Sequence, residues 1–198
     1  MGDRSSDKSR RNGAPNPAAQ DAKSQKRWRQ GAKRDTFPWI NSQIITVSET
    51  GQLHKLIATI EAFLPQMNLV NISTAFHRLA KATSKDVSPQ VMGQQPVIQG
   101  LLEAAKATLA KSSASGTQPS AQALSNISWA MATLHLVDDH LLQAMAIPAS
   151  SQVPSFKPFE LSTILWSYAK LSTLNADACY CAQHLFELAS IRIPHTVE

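Results

Sequence analysis

The sequence predicts an all-α protein, a short right-handed α-solenoid of helix pairs with about three repeats of roughly 37 residues, behind a disordered basic arm. Three observations carry this expectation. The stretches "NISTAFHRLAKA", "QALSNISWAMATL" and "FELSTILWSYAKL" follow one template, each is followed by a second helical pattern, and the positive charge is concentrated before residue 36. Repetition at periods of 20 to 50 residues marks stacked arrays, in which each unit hides its apolar face on its neighbour.

Residues 1–35 carry ten Lys or Arg against four Asp or Glu, whereas residues 36–198 carry nine against ten. The formal charge of +5 therefore belongs to the arm. Its only large apolar residue is Trp28, too little buried surface to offset the entropy of ordering it, so disorder is expected. Within "KRWRQGAKR", Lys26, Arg27 and Arg29 suit phosphate contacts, with Trp28 stacking on a base. The same run also suits a nuclear import signal or a solvated tail without a fixed partner.

The start "MGDRSS" fits the loose N-myristoylation pattern at Gly2. Asp3 and Asp7 argue against a mitochondrial transit peptide, while the positive balance and the serines are compatible with one. No apolar run approaches 18 residues, so stable membrane insertion is not expected. Cys179 and Cys181 lie two apart in a helical pattern, on nearly opposite sides, which disfavours a disulfide and suggests a reducing compartment.

Residues 36–51, "TFPWINSQIITVSETG", have strand-like residues without alternation and read as a surface connector. A helical-repeat domain is expected over 52–192, with a tail at 193–198. Its first helix places Leu53, Leu56, Ile57, Ile60, Phe63 and Leu64 on one face before Pro65.

The three related helices align on Ile72, Leu124 and Leu161. Offsets +3, +7 and +10 from these give one apolar stripe: Ala75, Leu79, Ala82; Ile127, Met131, Leu134; Ile164, Tyr168, Leu171. Offsets +1, +5 and +8 alternate small and bulky residues: Ser73, His77, Ala80; Ser125, Trp129, Ala132; Ser162, Trp166, Ala169. Small residues beside an indole suit close helix contact, so Trp129 and Trp166 are expected in the core. Offsets +2, +6 and +9 are polar or small and form the expected free face: Thr74, Arg78, Lys81; Asn126, Ala130, Thr133; Thr163, Ser167, Lys170.

Second helices follow each copy. "DDHLLQAMAI" is expected to stop before Pro148, and "NADACYCAQHLFELASI" is capped by Asn175 or Asp177. The partner of the first copy is split by Pro89 and Pro96, with "VIQGLLEAAKATLA" as its stronger part. Leu124 and Leu161 are 37 residues apart and Ile72 and Leu124 are 52 apart; the Ser-rich "KSSASGTQPS", residues 111–120, is read as a flexible insertion supplying most of the surplus.

"FKPFELSTILWSYAKL", "PSAQALSNISWAMATL" and "NLVNISTAFHRLAKA" resemble the octotricopeptide-type helical repeats of algal and dinoflagellate organelle proteins. They are similar also to the repeats preceding RAP domains in FAST-kinase-like RNA proteins. The resemblance covers about residues 52–192, and the first copy departs from it at His77 and Ala82. It implies binding of single-stranded RNA in mitochondria or plastids, acting in RNA processing, stability or translation alongside other organellar RNA-processing or ribosomal proteins; cytoplasm and nucleus stay open. No RAP domain is expected after the third pair.

Helical RNA-reading repeats present side chains from one helix per repeat to the bases. On that basis Thr74, Asn126 and Thr163 are candidates for base edges, and Arg78, Lys81 and Lys170 for phosphates or stacking. The near-neutral repeat region gives little electrostatic affinity by itself, which the arm would supply. A protein-interaction scaffold of the same architecture is the alternative. No phosphate-binding glycine loop, HExxH or GxSxG occurs, so neither catalysis nor a cofactor is expected, and Cys181 with His184 lacks the further ligands of a metal site.

Overall fold

A helix leaves four amide groups unpartnered at its start, and the three related helices satisfy them at the same point of their register. Their caps are Asn68, Ser120 and Lys157, each four residues before Ile72, Leu124 and Leu161. Asn68 and Asn71 cap reciprocally: the Asn71 amide donates to Asn68 Oδ1 at 3.0 Å, and the Asn68 amide to Asn71 Oδ1 at 3.3 Å. Ser120 Oγ accepts from the Ala123 amide at 3.2 Å, and the Glu160 carboxylate accepts from the Lys157 amide at 2.9 Å. Three different pairs thus solve one problem at one position.

The computed structural model describes residues 36–192 apart from residue 87, and leaves out the side chains of residues 84–86, 176–179, 181 and 192. Every regular element among the described residues is helical: α1 (residues 36–49), α2 (Leu53–Phe63), a 3-10 turn (Leu64–Gln66), α3 (Leu69–Asp86), α4 (Pro89–Gly93), α5 (Pro96–Ser115), α6 (Ala121–Leu134), α7 (Asp139–Ser151), a 3-10 turn (Val153–Ser155), α8 (Pro158–Ser172) and α9 (Ala176–Arg192). None is long and apolar enough to cross a membrane. The expected arm, with Lys26, Arg27, Trp28 and Arg29, the tail, and the side chains of Cys179 and Cys181 lie outside the described residues.

Two runs of neighbours organise these helices. In one, α3 packs on α6 and α6 on α8; in the other, α5 lies beside α7 and α7 beside α9. Contacts of α3 with α5 and of α8 with α9 join the runs, and α2 touches both α3 and α5. The expected apolar stripe fills the space between them. Ile72, Ala75, Leu79, Leu124, Ile127, Met131, Leu134, Leu161, Ile164, Tyr168 and Leu171 are all buried, and only Ala82, where the first copy departs from leucine, is half-buried. The Tyr168 hydroxyl donates to the Leu142 carbonyl at 2.8 Å, which gives a fully buried phenol its partner and fixes α8 against α7.

A polar clamp joins α5 to α7. Lys106 Nζ lies 2.9 Å from Asp138 Oδ2 and 2.8 Å from Glu103 Oε1, while Asp138 Oδ1 caps α7 by accepting from the Leu141 amide at 2.8 Å. Burial pushes the Asp138 carboxyl up, but the hydrogen bonds from Lys106 and Leu141 outweigh it and hold the group below the usual carboxylate value.

Five expectations require correction, the fifth being the burial of Trp166, which is taken up with the site. Residues 36–51 are not a surface connector, because 36–49 form α1 with Ile40 and Ile44 fully buried and Val47 packed on the core. Their spacing of i, i+4 and i+7 was hidden by the β-branched run around them, and burial overrides that weak propensity. Residues 111–115 continue α5 instead of opening an insertion; the stop is Gly116, in the left-handed region at φ 67°, with the Thr117 amide returning to the Ser112 carbonyl at 2.9 Å. The helix through Pro148 does not end there but runs to Ser151, with Ala149 and the following Val153 buried. The fourth concerns the expected free face and is taken up with the site below.

If α1 is part of the core, Ile44→Ala lowers unfolding free energy by about 2–4 kcal/mol in urea titration, whereas a surface connector would tolerate it within about 0.5 kcal/mol.

Candidate nucleic-acid interface

At 100° per residue, the three first helices point four ways. Offsets 0, +3 and +7 face the second run of helices. Offsets +1, +5 and +8 face the following helix, offsets −1, +3 and +6 the preceding one, and offsets −2, +2 and +9 are left outward. Hydrogen bonds between elements support these directions. Ser125 Oγ, at +1, donates to the Glu160 carbonyl, at −1 on α8, at 2.9 Å; Asn71 Nδ2, at −1, donates to the Phe37 carbonyl on α1 at 2.9 Å.

This frame corrects the expected polar face. Ala130 and Ser167, at +6, are fully buried, because that direction turns toward the preceding helix; the outward row takes in offset −2 in their place. Along the row lie Val70, Thr74 and Lys81 on α3, then Gln122, Asn126 and Thr133 on α6, then Phe159, Thr163 and Lys170 on α8. Offset +5 borders it, so His77 and Trp129 are half-buried and Trp166 is 47 % exposed. The expectation that both tryptophans belong to the core holds for Trp129, which packs against it, and fails for Trp166, whose ring is exposed on α8.

A groove of about 460 Å³ runs between α1, α3 and α6. Of the candidate residues, Thr74, Arg78 and Asn126 meet there, joined by Asn41, Ile45 and His77. Arg78 also lines an adjoining hollow of about 290 Å³ with Lys81 and Glu49. Thr163 and Lys170 are not in the groove but continue the same side of the fold onto α8, where Lys170 Nζ lies 5.1 Å from the centre of the Trp166 ring.

The polar groups differ in what they offer. Thr74 donates its hydroxyl proton to the Val70 carbonyl at 2.9 Å, and Thr163 to the Phe159 carbonyl at 2.7 Å, so both present only acceptor lone pairs outward. Asn41 Oδ1 is buried without a hydrogen-bond partner. The Asn126 amide is half-buried and keeps both donor and acceptor for a ligand. Arg78 contributes a fork of donors suited to phosphate or to a planar base.

His77 joins the groove to the helix–helix contact. Its ring centre is 5.0 Å from that of Trp129, the residue at the same offset on α6, at an interplanar angle of 45°. Burial, then the charges of Arg78 and Lys81, lower its pKa below 6.5. Sequence reasoning missed Asn41 and Ile45, since α1 itself was missed; the spacing of Ile40, Ile44 and Val47 was the signal available.

Because the folded state disfavours the His77 imidazolium, its ring protons titrate below 6.5 in an NMR pH series, and the protein loses stability as pH falls through the value of an unfolded histidine. Replacing Arg78 and Lys81 with glutamine moves the midpoint part of the way back, leaving the share due to burial. No family model, curated protein or solved structure matches this chain.

Proposed function

We propose that the chain is a short right-handed α-solenoid that binds single-stranded RNA along the outward row of α1, α3, α6 and α8. The groove between α1, α3 and α6 supports this reading most directly, because it gathers an arginine, three side-chain amides and the acceptor-only hydroxyl of Thr74 around one opening. Those are groups that meet base edges and phosphates in single-stranded recognition. The succession of α3, α6 and α8, with the parallel succession of α5, α7 and α9, fits stacked helix pairs. With α1 and α2 standing as a preceding pair, the array has four units in place of about three.

In this reading Asn41, Thr74, Asn126 and Thr163 set register by hydrogen bonds, while Arg78, Lys81 and Lys170 contact the backbone. Trp166 offers a half-exposed ring for base stacking, and the basic arm, Lys26, Arg27, Trp28 and Arg29 included, adds long-range attraction. A role in organellar RNA processing, stability or translation, in mitochondrion or plastid, follows from the sequence resemblance alone. A second reading, a protein-interaction scaffold, is favoured by Val70 and Phe159 on the same row, 50 % and 59 % exposed.

A salt series of binding to a randomised single-stranded RNA pool tests the proposal, run with the full chain and with residues 36–198. The full chain binds in low salt with a steep dependence, residues 36–198 bind more weakly with a shallower slope, and Arg78→Gln reduces the slope by about one phosphate contact. Asn126→Ala alters base preference more than salt dependence. Absence of binding by both forms in low salt eliminates the RNA reading and leaves the scaffold.

A further inference from the structure

Buried polar atoms in a folded chain almost always have a partner, and one that lacks it destabilises the fold until something supplies it. Among the described residues one buried side-chain atom is in that position, Asn41 Oδ1. It belongs to a residue that lines the groove between α1, α3 and α6. An amide oxygen can only accept, so whatever completes it must bring an N–H or O–H proton.

Neighbours in the groove make the same demand. Ser73 and Thr74 both give their hydroxyl protons to the Val70 carbonyl, each at 2.9 Å, and so turn only lone pairs toward an occupant. Arg78 makes the opposite demand, because its guanidinium donates and never accepts. It also repels a cation, and no carboxylate among the described residues lines the groove to offset that charge. The fitting occupant is therefore neutral on this edge, with N–H donors side by side and an acceptor next to them.

We propose that the groove selects guanine, with Asn41 and Thr74 accepting from its pairing edge and Arg78 donating to its carbonyl oxygen; the inference rests on the RNA reading above and adds the base. Guanine is the one base whose ring N–H and exocyclic amino group adjoin each other beside O6, the atom that arginine most often contacts. Adenine and cytosine bring an amino group next to a ring acceptor, which would set lone pair against lone pair at Asn41 or Thr74. Uracil brings a lone N–H between carbonyls. Asn126, whose amide both donates and accepts, is compatible with every base and does not decide. Because Asn41 Oδ1 is covered in the free protein, the base engages it by a turn of this half-buried side chain, and the oxygen gains a hydrogen bond without giving one up.

The full chain, titrated in low salt with short uridine oligomers carrying a single central guanosine, inosine, adenosine or cytidine, tests this by fluorescence anisotropy. The guanosine oligomer is expected to bind at least about fivefold more tightly than all-uridine, and inosine, which lacks only the exocyclic amino group, to lose most of that gain. Asn41→Leu removes the acceptor and abolishes the preference while leaving the salt slope unchanged; Asn41→Asp keeps an acceptor and keeps the preference. Far-UV circular dichroism confirms that the variants are folded, and Asn41→Ala serves if the leucine variant is not. Equal binding of all oligomers, as when water alone completes Asn41, or a guanosine preference that survives Asn41→Leu, overturns the inference and leaves the RNA reading standing. Absence of binding to every oligomer overturns both.

Discussion

The contact between one first helix and the next depends on small residues at fixed offsets, and the rest of the structure follows from that contact. Serine at +1 and alanine at +8 on one helix, and alanine or serine at +6 on its neighbour, bring the axes close enough for the larger rings at +5 to pack between them. That closeness aligns the stripe at 0, +3 and +7 over α5, α7 and α9, so one continuous core is buried in place of three separate ones. A bulky residue at Ala130 or Ala132 would push two helices apart at once, since both positions are fully buried.

The candidate site is a by-product of this register. Because the caps of α3, α6 and α8 fall at the same offset, side chains at +2 and +9 hold the same place relative to the start of each helix, which is what the proposed reading of a linear ligand draws on. The groove opens where the sequence of the first copy departs from its relatives. His77 stands where tryptophan is found in the other two, and Arg78 where they have alanine or serine, so the α3 end carries the charge and the α8 end the aromatic surface.

Legibility in the sequence divided along physical lines. The buried stripe was readable because apolar side chains at helical spacing have one economical place to go, and Ile72, Leu124 and Leu161 occupy it. Helix α1 was not, because Ile44, Ile45, Thr46 and Val47 favour strands locally and only packing against α3 decides otherwise. The outward face was half readable: polarity located Thr74, Asn126 and Thr163, but polarity alone cannot separate Ser167, whose hydroxyl is satisfied by the Thr163 carbonyl at 2.7 Å inside the fold, from a residue facing solvent. Trp166 was misread for the opposite reason, since its burial requires a neighbour that its own sequence context does not specify.

Equivalence and adjacency of α3, α6 and α8 can be measured without reference to any ligand. Spin labels at Thr74 and Thr163, two helix spacings apart at the same offset, should give a narrow distance distribution by double electron–electron resonance centred near 20 Å, from interaxial separations of about 10 Å each. A broad distribution, or one centred well beyond 30 Å by the same spacing argument, would contradict the account, because the two helices would then not flank α6 in a common register.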